Sequence, residues 1–385
     1  MLEGVTVALG VTGSIAAVKT VELAHELRRQ GAEVHALMTP AAEGIIHPWA
    51  LEYATDNPVV TEITGSVEHV ELCGNDGEAD VLLVAPATAN TVGKMASAID
   101  DTPVTTTATT AFGSDVPIVV VPAMHEPMYN HPGVLEAIDT LESWDVEFVD
   151  PRIEEGKAKI ATEETIVTAV ARATTPQRLD GQTVVVTSGA TTESIDPIRT
   201  LSNRASGRTG REVARACYAR GAEVVLVHDG PDYPWATVEA VESAAEMLEA
   251  VLDHTDRADA LVSVAAISDY TVETAGEKLR SGKDDLTLEL EPTPKLIDSV
   301  REAHPALTIV GFKAESESSG SNLIDRAAET QRRAGLAFVV GNRADVMGEA
   351  ETSVTIVEGE ETEQFAGSKR ALGGVVANRL AAELD

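Results

Sequence analysis

The segment Gly10-Val-Thr-Gly-Ser-Ile15 combines residue types that suit the binding of an anion. It follows an apolar run, Val5–Leu9, and precedes a helical pattern that extends to Gln30. Its two glycines permit a tight turn, Ser14 offers a hydroxyl group, and the N–H groups of the first helical turn point toward an incoming anion. The spacing lacks both the dinucleotide fingerprint and the Gly-Lys-Ser/Thr of a Walker loop, so it favours a mononucleotide phosphate as the ligand. The plain alternative is a loop that only turns the chain.

A second segment of interest is Pro122-Ala-Met-His-Glu-Pro-Met128, which directly follows the apolar run Ile118–Val121. Its histidine, His125, can donate a hydrogen bond to an anion and can carry a positive charge. The plain alternative is a turn bounded by prolines, with the two methionines filling gaps in a core. The residues of this segment alone leave both interpretations open.

A third segment, Ser202-Asn-Arg-Ala-Ser-Gly207, places hydroxyl groups, an amide and a guanidinium immediately before a helical pattern. Such groups suit the binding of phosphate oxygens at the N-terminus of a helix. Two residues farther along the chain have plain structural alternatives. Asp269 ends an apolar run and suits an Asx turn, whereas Lys278 suits a solvated charge in a loop.

The elements that must position these loops have the same layout in both halves of the chain. Each half has an apolar strand, a polar loop and a helix that ends at Gly-Ala-Glu-Val, residues 31–34 and 221–224. Short β-branched runs that alternate with helical patterns predict parallel sheets covered by helices on both faces. The predicted strands are Val5–Leu9, Glu33–Met38, Val81–Ala85, Ile118–Val121, Thr183–Thr187, Glu223–Val227, Ala260–Ala265, Leu307–Phe312 and Leu336–Val340.

We therefore predict an α/β protein with two doubly wound domains, each a largely parallel sheet flanked by helices. The short polar segment 173–177 contains a proline and suits a domain boundary, which predicts domains at residues 1–175 and 176–385. In such sheets ligands bind beyond the carboxyl ends of the strands. Most of the polar segments described above lie at those ends.

The composition excludes several classes of partner. The 385 residues include 63 acidic and 29 basic residues, nine of them lysines, for a net charge of −34. Such a surface repels nucleic acid and anionic membranes, and it is typical of adaptation to high salt. With two cysteines there is no disulfide framework, and no apolar run is long enough for a membrane span. The N-terminus enters a strand-like run directly, so we expect a cytoplasmic protein.

The polar loops also occur in an order that resembles two known enzyme families. In the first half the segments that resemble flavin-containing cysteine decarboxylases are Gly10–Lys19, Met38–Pro40, His69–Leu72, Ala85–Asn90 and Pro122–Met128. In the second half the segments that resemble phosphopantothenate–cysteine ligases are Gly189–Arg199, Ser202–Gly207, Ala265–Tyr270, Glu277–Lys278, Pro294 and Gly311–Phe312. A chain with both halves in this order resembles the bifunctional flavoproteins of coenzyme A biosynthesis.

This resemblance implies two reactions. The second half would join 4'-phosphopantothenate to L-cysteine through an acyl-nucleotide, with Mg²⁺ and CTP, or alternatively ATP. The first half would then decarboxylate the product to 4'-phosphopantetheine, with FMN as the electron sink. The resemblance also implies a homo-oligomer with trimeric decarboxylase domains, in which FMN sites lie between subunits.

The same resemblance assigns roles to individual residues. The FMN-binding residues would be Gly13, Ser14, Ile15, Thr39, Pro86, Thr88 and Asn90. His69 would be the catalytic histidine of the decarboxylase, and His125 would replace an asparagine that holds the substrate carboxylate. In the ligase, Asn203 would contact the acyl-nucleotide, Lys278 would assist its formation and Asp269 would bind Mg²⁺. The nucleotide-binding residues would be Asn203, Ser206, Gly207, Asp269, Lys278, Pro294 and Phe312.

The sequence departs from these families at two places. The expected flap, Asp150–Ile160, lacks the cysteine that donates a proton in bacterial relatives, so the donor is unassigned and Cys73 is one alternative. The flap cations, which suit phosphate contact or lid closure, are Arg152, Lys157 and Lys159. The basic pair that would contact the triphosphate is matched only loosely, by Arg326, Arg332 and Arg333.

Two other functions remain as alternatives. A flavin prenyltransferase would share the fold of the first half but would not need residues 180–385. A flavin-binding regulatory protein would carry an acidic tail, whereas here the acidic residues are spread along the chain.

Overall fold

The apolar runs of the sequence form the strands of two sheets in the computed structural model, which describes residues 1–154, 156–280, 286–315, 320–343 and 351–385. The chain divides into two units, Met1–Thr175 and Pro176–Asp385, called unit 1 and unit 2 below. In the described part of the chain, no helix is both long enough and apolar enough to cross a membrane.

Unit 1 contains one parallel sheet and one small antiparallel sheet. Its strands are β1 Thr6–Val11, β2 Glu33–Met38, β3 Val81–Ala87, β4 Ile118–Pro122, β5 Met124–His125, β6 Glu147–Phe148, β7 Arg152–Glu154 and β8 Lys157–Lys159. A 3-10 turn spans Ile15–Lys19, and the helices are α1 Thr20–Arg29, α2 Pro40–Glu43, α3 Pro48–Thr55, α4 Glu68–Cys73, α5 Ala89–Ala96, α6 Pro103–Gly113, α7 Glu126–Tyr129, α8 Pro132–Glu142 and α9 Glu163–Thr174.

The main sheet of unit 1 has the order β2-β1-β3-β4-β6, and its neighbouring strands pair in parallel. This is the flavodoxin-like order. The order in which the chain adds strands reverses between β1 and β3, which is the switch point of the sheet. Every residue of β3 and β4 is buried, as expected for strands covered on both faces. The loops that follow β1 and β3 therefore meet at the crevice where such folds bind ligands.

Unit 2 is a larger doubly wound sheet. Its strands are β9 Thr183–Thr187, β10 Thr192–Ser194, β11 Thr200–Ser202, β12 Glu223–His228, β13 Thr237–Ala240, β14 Ala260–Ser263, β15 Tyr270–Val272, β16 Leu290–Pro292, β17 Thr308–Glu315, β18 Val339–Arg343, β19 Glu351–Glu358 and β20 Glu361–Ser368. Its helices are α10 Arg208–Tyr218, α11 Ala244–Thr255, α12 Leu296–Ala303, α13 Gly320–Ala334 and α14 Lys369–Leu384.

The main sheet of unit 2 has the order β13-β12-β9-β14-β17-β18-β19-β20. The first six strands are parallel and follow the Rossmann order, with the switch point between β9 and β14. Helices cover both faces, because Val184 and Val186 pack in the core that contains α10 and α14, whereas Val185 packs in the core that contains α11 and α12. The predicted class, two doubly wound α/β sheets, is confirmed.

The last two strands were not predicted from the sequence. Strand β19 pairs antiparallel with β18, and β20 pairs antiparallel with β19. Two antiparallel steps return β20 to the direction of β18, so the carboxyl end of β20 reaches the same edge of the sheet as those of the parallel strands. Helix α14 begins there, directly after Ser368.

Candidate functional sites

In unit 1, the loop after β1 is held close to its neighbours by two hydroxyl groups. The Thr12 hydroxyl donates to the Pro86 carbonyl at 2.7 Å and accepts from the Thr88 N–H at 3.2 Å. The Ser14 hydroxyl donates to the Ala123 carbonyl at 2.9 Å. The loops after β1, β3 and β4 are thus joined into one polar surface at the switch point.

The glycine of this loop is required by a close approach. A Cβ atom at Gly13 would lie 2.5 Å from the Cβ of Ala41 in α2, well inside ordinary contact distance. Helix α2 is fixed there by Thr39, whose hydroxyl accepts from the Ala42 N–H at 3.3 Å. The loop can therefore lie against α2 only with glycine at position 13.

The remaining predicted cofactor residues lie at the same edge of the sheet. Thr88 caps α5, since its hydroxyl accepts from the Thr91 N–H at 3.2 Å, and Asn90 is exposed in the first turn of that helix. Ile15 is 78% exposed immediately after the loop. The structure thus brings all seven predicted residues to the carboxyl ends of β1, β2 and β3, namely Gly13, Ser14, Ile15, Thr39, Pro86, Thr88 and Asn90.

His125 belongs to a small sheet that also contains the expected flap. Strand β5 pairs with β8, and β8 pairs with β7, so that His125 stands opposite Lys157. Side chains directly opposite on one face of an antiparallel pair lie close together, so an imidazole and an ammonium group neighbour each other here. Both are exposed. The flap is therefore a hairpin whose inner strand is bonded to the strand of His125.

The other two flap cations share one carboxylate. Glu154 contacts Lys159 at 2.9 Å and Arg152 at 3.0 Å. The hydrogen bond from Lys159 and the charges of both cations hold the pKa of Glu154 below its usual range. The contact between Lys159 and Glu154 links β8 to β7. Lys157 is the flap lysine that faces His125.

His69 lies on α4, which packs against α6. Its Nδ1 atom is buried and has no hydrogen-bond partner among the described residues. No hydrogen bond in the described chain links it to the loop after β1. Cys73, on the same helix, is fully buried, and burial raises the pKa of its thiol to about 12. Such a thiol is a poor proton donor at neutral pH, which argues against Cys73 as the missing donor.

In unit 2, a cavity of about 340 Å³ lies at the switch point between β9 and β14. The hydroxyl of Thr187 accepts from the N–H groups of Val264 and Ala265, each at 3.1 Å, and so fixes the two loops that form the cavity. Helix α10 reaches this site because Gly210 lies against Ser188, where a Cβ would approach to 2.6 Å. Gly207 is the residue immediately before α10, and its φ of 73° suits glycine.

Several predicted ligase residues meet at this cavity. Ser206, Gly207, Asp269 and Phe312 line it, and the Asn203 amide donates to the carbonyl of Ala266, another lining residue, at 3.0 Å. A neighbouring cavity of about 210 Å³ is also lined by Asp269 and Phe312, together with Pro294 and Lys295. The Lys295 ammonium forms an ion pair with the Asp269 carboxylate.

Lys278 is exposed and does not line either cavity. Its neighbour Leu279 is held on both sides, because its N–H donates to Asp196 at 3.1 Å and its carbonyl accepts from Arg199. Asp196 also accepts from the N–H groups of Ile198 and Arg199, each at 2.9 Å. Asp196 and Arg199 were not predicted as site residues, although the Asp-Pro-Ile-Arg run indicates a tight turn.

The electrostatic state of Asp196 follows from these contacts. Its side chain is buried, which on its own would raise its pKa. Three backbone hydrogen bonds, from Ile198, Leu279 and Arg199, together with the Arg199 charge, outweigh burial and lower the pKa. Asp196 is therefore a firmly ionised anchor for the segment that carries Lys278.

The structure identifies a further set of polar residues that sequence analysis missed. Lys313, Lys369 and Asn342 line the larger cavity, although they come from three separate elements, β17, α14 and β18. One of the three arginines suggested for the triphosphate, Arg333, instead pairs with Asp298 at 2.6 Å at the smaller cavity. No group of three potential metal-ligating side chains occurs within the described ranges.

Each of the two units matches a known protein family. Residues 1–175 match the family model described as Flavoprotein, and residues 179–384 match that of the DNA/pantothenate metabolism flavoprotein C-terminal domain. The chain is 50% identical over 363 residues to the coenzyme A biosynthesis bifunctional protein CoaBC of Thermococcus kodakarensis, covering 92% of this chain and 89% of that protein. It is 36% identical over 386 residues to the protein of the same name from Methanocaldococcus jannaschii, covering 99% and 94%.

Two solved structures are also similar to parts of the chain. One is the C-terminal domain of a CoaBC protein, with 27% identity and a TM-score of 0.45 over 54% of this chain and 98% of that chain. The other is the FMN-dependent cysteine decarboxylase SpaF, with 30% identity and a TM-score of 0.40 over 46% of this chain and 100% of that chain.

Proposed function

This chain belongs to the family of bifunctional coenzyme A biosynthesis proteins, and from that membership we propose which part of it performs each reaction and through which residues. Its activities are those of the family, a ligase and a flavin-dependent decarboxylase of coenzyme A biosynthesis. We assign the ligase to residues 176–385 and the decarboxylase to residues 1–175. The observation that carries this assignment is that each unit has a polar crevice at its own switch point, built from different motif residues.

The crevice of unit 1 suits FMN. It offers a loop that lacks room for a side chain at Gly13, the capped N-terminus of α5, and several hydroxyl and amide groups. Ser14, Thr88 and Asn90 would hold the polar parts of the cofactor, and Ile15 would cover an apolar part. When bound, FMN supplies the redox chemistry that makes loss of CO₂ possible.

The residues of this chain then have three tasks in decarboxylation. His125 donates a hydrogen bond to the substrate carboxylate, which orients the bond that breaks. Lys157, opposite His125, adds a positive charge beside that carboxylate. The flap of β7 and β8 closes over the substrate and excludes water.

His69 suggests that unit 1 works as an oligomer. The buried Nδ1 of His69 lacks a partner among the described residues, and an unpaired buried nitrogen is costly. Unit 1 also exposes Ile15 at 78%, Trp49 at 74% and Tyr53 at 80%. Trp49 and Tyr53 are four residues apart on α3 and so share one face of that helix, and exposed apolar patches mark surfaces that other chains cover. We propose trimers of unit 1 in which His69 reaches the flavin site of a neighbouring copy.

The ligase reaction begins with activation of a carboxylate, which is a poor electrophile at neutral pH. An oxygen of the 4'-phosphopantothenate carboxylate attacks the α-phosphorus of CTP and displaces pyrophosphate. The amine of L-cysteine then attacks the acyl carbon, and CMP leaves as the amide forms. Asn203, fixed by its bond to Ala266, would contact the mixed anhydride, and Lys278, held through Leu279, would stabilise charge during its formation.

Mg²⁺ fits this site only if the protein and the nucleotide bind the ion together. In the described part of the chain, Asp269 is the single carboxylate that lines the larger cavity. A magnesium ion commonly binds through one or two carboxylates, with phosphate oxygens and waters completing its octahedron. Asp269 would therefore hold Mg²⁺ together with the nucleotide, in exchange for its contact with Lys295.

The test uses the full chain in high-salt buffer with 4'-phosphopantothenate, L-cysteine and CTP. Pyrophosphate release should require the nucleotide, and CO₂ release should require all three substrates. In the Asn203→Asp variant a carboxylate would lie beside the anhydride, and cysteine-dependent turnover should fall about 100-fold or more, the scale of one preorganised contact. CO₂ release from added phosphopantothenoylcysteine should be unchanged in this variant, which is the internal control. Normal ligation by Asn203→Asp would remove this residue from the proposed site.

A further inference from the structure

The larger cavity of unit 2 has a charge balance opposite to that of the chain. Among the described residues, the charged side chains that line it are three cations, Arg208, Lys313 and Lys369, and one anion, Asp269. The whole chain has 63 acidic and 29 basic residues, of which nine are lysines. Two of these nine lysines therefore line a single cavity. The carboxylate of Asp269 is in addition paired with Lys295. A cavity of this composition favours an anion with several charges.

Lys369 lies at this cavity, where α14 begins. Its side chain is only 6% exposed. It is the first residue of the helix, where the helix dipole repels a cation and attracts an anion. An anion bound in the cavity would therefore stabilise both the ammonium group and the start of the helix.

The elements around Lys369 present further groups to an anion. Helix α10, 11 residues long, begins at the same cavity, and Gly207 provides no side-chain cap for its N–H groups. Lys313 follows Phe312 on β17. The cavity thus combines two lysines and the positive end of a helix.

We propose that Lys313 and Lys369, with the N-terminus of α10, hold the terminal phosphates of the nucleotide triphosphate. This inference rests on the proposed ligase function and adds residues that no motif assigned. Arg333 does not serve this purpose, because it is paired with Asp298 at the neighbouring cavity. The lysines would also draw electron density from the pyrophosphate as it leaves the α-phosphorus.

The test measures how affinity depends on the number of phosphates. CTP, CMP and inorganic tripolyphosphate are titrated into the full chain with Mg²⁺ by calorimetry. The variants are Lys369→Met and Lys313→Met, with Lys369→Arg as the conservative replacement. Lys94→Met is the matched control, because Lys94 pairs with the exposed Asp101 in unit 1.

Lys369→Met and Lys313→Met should each weaken CTP and tripolyphosphate binding at least tenfold, which corresponds to about 1.4 kcal/mol, and CMP binding less than threefold. Lys369→Arg should recover part of the loss, and Lys94→Met should bind like the unmodified chain. CTP affinity within twofold of the unmodified chain in both methionine variants would overturn the inference. If Lys369→Met fails to fold, Lys313→Met and Lys369→Arg decide the matter.

The proposed ligase function can fail separately. An unmodified chain that binds neither CTP nor ATP would refute nucleotide-dependent ligation. If such a chain still binds tripolyphosphate and loses that binding in Lys369→Met, the anion site stands without the ligase. If both methionine variants bind CTP normally while the unmodified chain ligates, the lysine assignment alone is wrong.

Discussion

Substitution of Gly13 by alanine tests whether the loop after β1 depends on its contact with α2. The new Cβ would lie 2.5 Å from the Cβ of Ala41, 3.2 Å from its carbonyl carbon and 3.3 Å from its oxygen. Carbon atoms in ordinary contact are about 3.5–4.0 Å apart, so the loop or α2 must move by about 1 Å. Two of the three crowded atoms belong to the backbone, which cannot rotate away as a side chain can.

The expected loss in the free energy of unfolding is that of overpacking a folded interior, which typically costs 1–3 kcal/mol. We expect about 2 kcal/mol for Gly13→Ala, because both crowded segments are fixed. The Ser14 hydroxyl bonds to Ala123, and Thr39 caps α2. If FMN binds only the undistorted loop, the same 2 kcal/mol weakens its affinity roughly 30-fold.

The assay is titration of FMN into the apoprotein, followed by the quenching of flavin fluorescence. Gly113→Ala is the matched control, since a Cβ at Gly113, at the end of α6, has nothing within 4 Å. This control should bind FMN normally, with stability unchanged or raised by up to about 1 kcal/mol. Normal FMN affinity in Gly13→Ala would show that the loop is not the cofactor cradle.

Three further predictions concern single residues. His125→Ala should slow decarboxylation roughly 30- to 1000-fold, which corresponds to a loss of about 2–4 kcal/mol. His125→Asn should keep substantial activity. Equal rates for His125→Ala and the unmodified chain would show that the segment is only a turn. Cys73→Ala should keep the decarboxylation rate while losing about 1 kcal/mol of stability through the small cavity, and an inactive but folded variant would restore Cys73 as a donor. Because the folded-state pKa of Asp196 is lowered, its stabilisation is present above the unfolded value near 3.9 and is lost as the pH falls through the lower folded value. Thermal melting of Asp196→Asn should therefore depend less on pH below about 4 than melting of the unmodified chain, and identical pH slopes would contradict this assignment.

The strands that carry the sites could be predicted because a parallel sheet covered on both faces needs continuous apolar runs. Strand β3 is an example, as all residues of Val81–Ala87 are buried. The hairpin of β19 and β20 gave no such signal. Most residues of Glu361–Ser368 are exposed and polar, as suits the edge of a sheet.

Some site residues could likewise be predicted from the sequence and others could not. Those in loops directly after strands, such as Ser14 and Ser206, could be predicted because the parallel topology brings such loops to one edge. Lys369 could not, because its place at the cavity depends on two antiparallel strands that return the chain to that edge. The contact between Asp196 and Leu279 spans 83 residues and likewise requires the folded chain.

The small sheet of β5, β8 and β7 couples opening of the flap to release of the substrate. Since β8 is bonded to β5, the flap cannot lift without loosening the strand of His125. If His125 and Lys157 hold the substrate carboxylate as proposed, that anion keeps the hairpin down until the anion departs as CO₂. The product lacks the carboxylate and should dissociate faster than unreacted substrate. Partition would then favour loss of CO₂ over release of unreacted substrate.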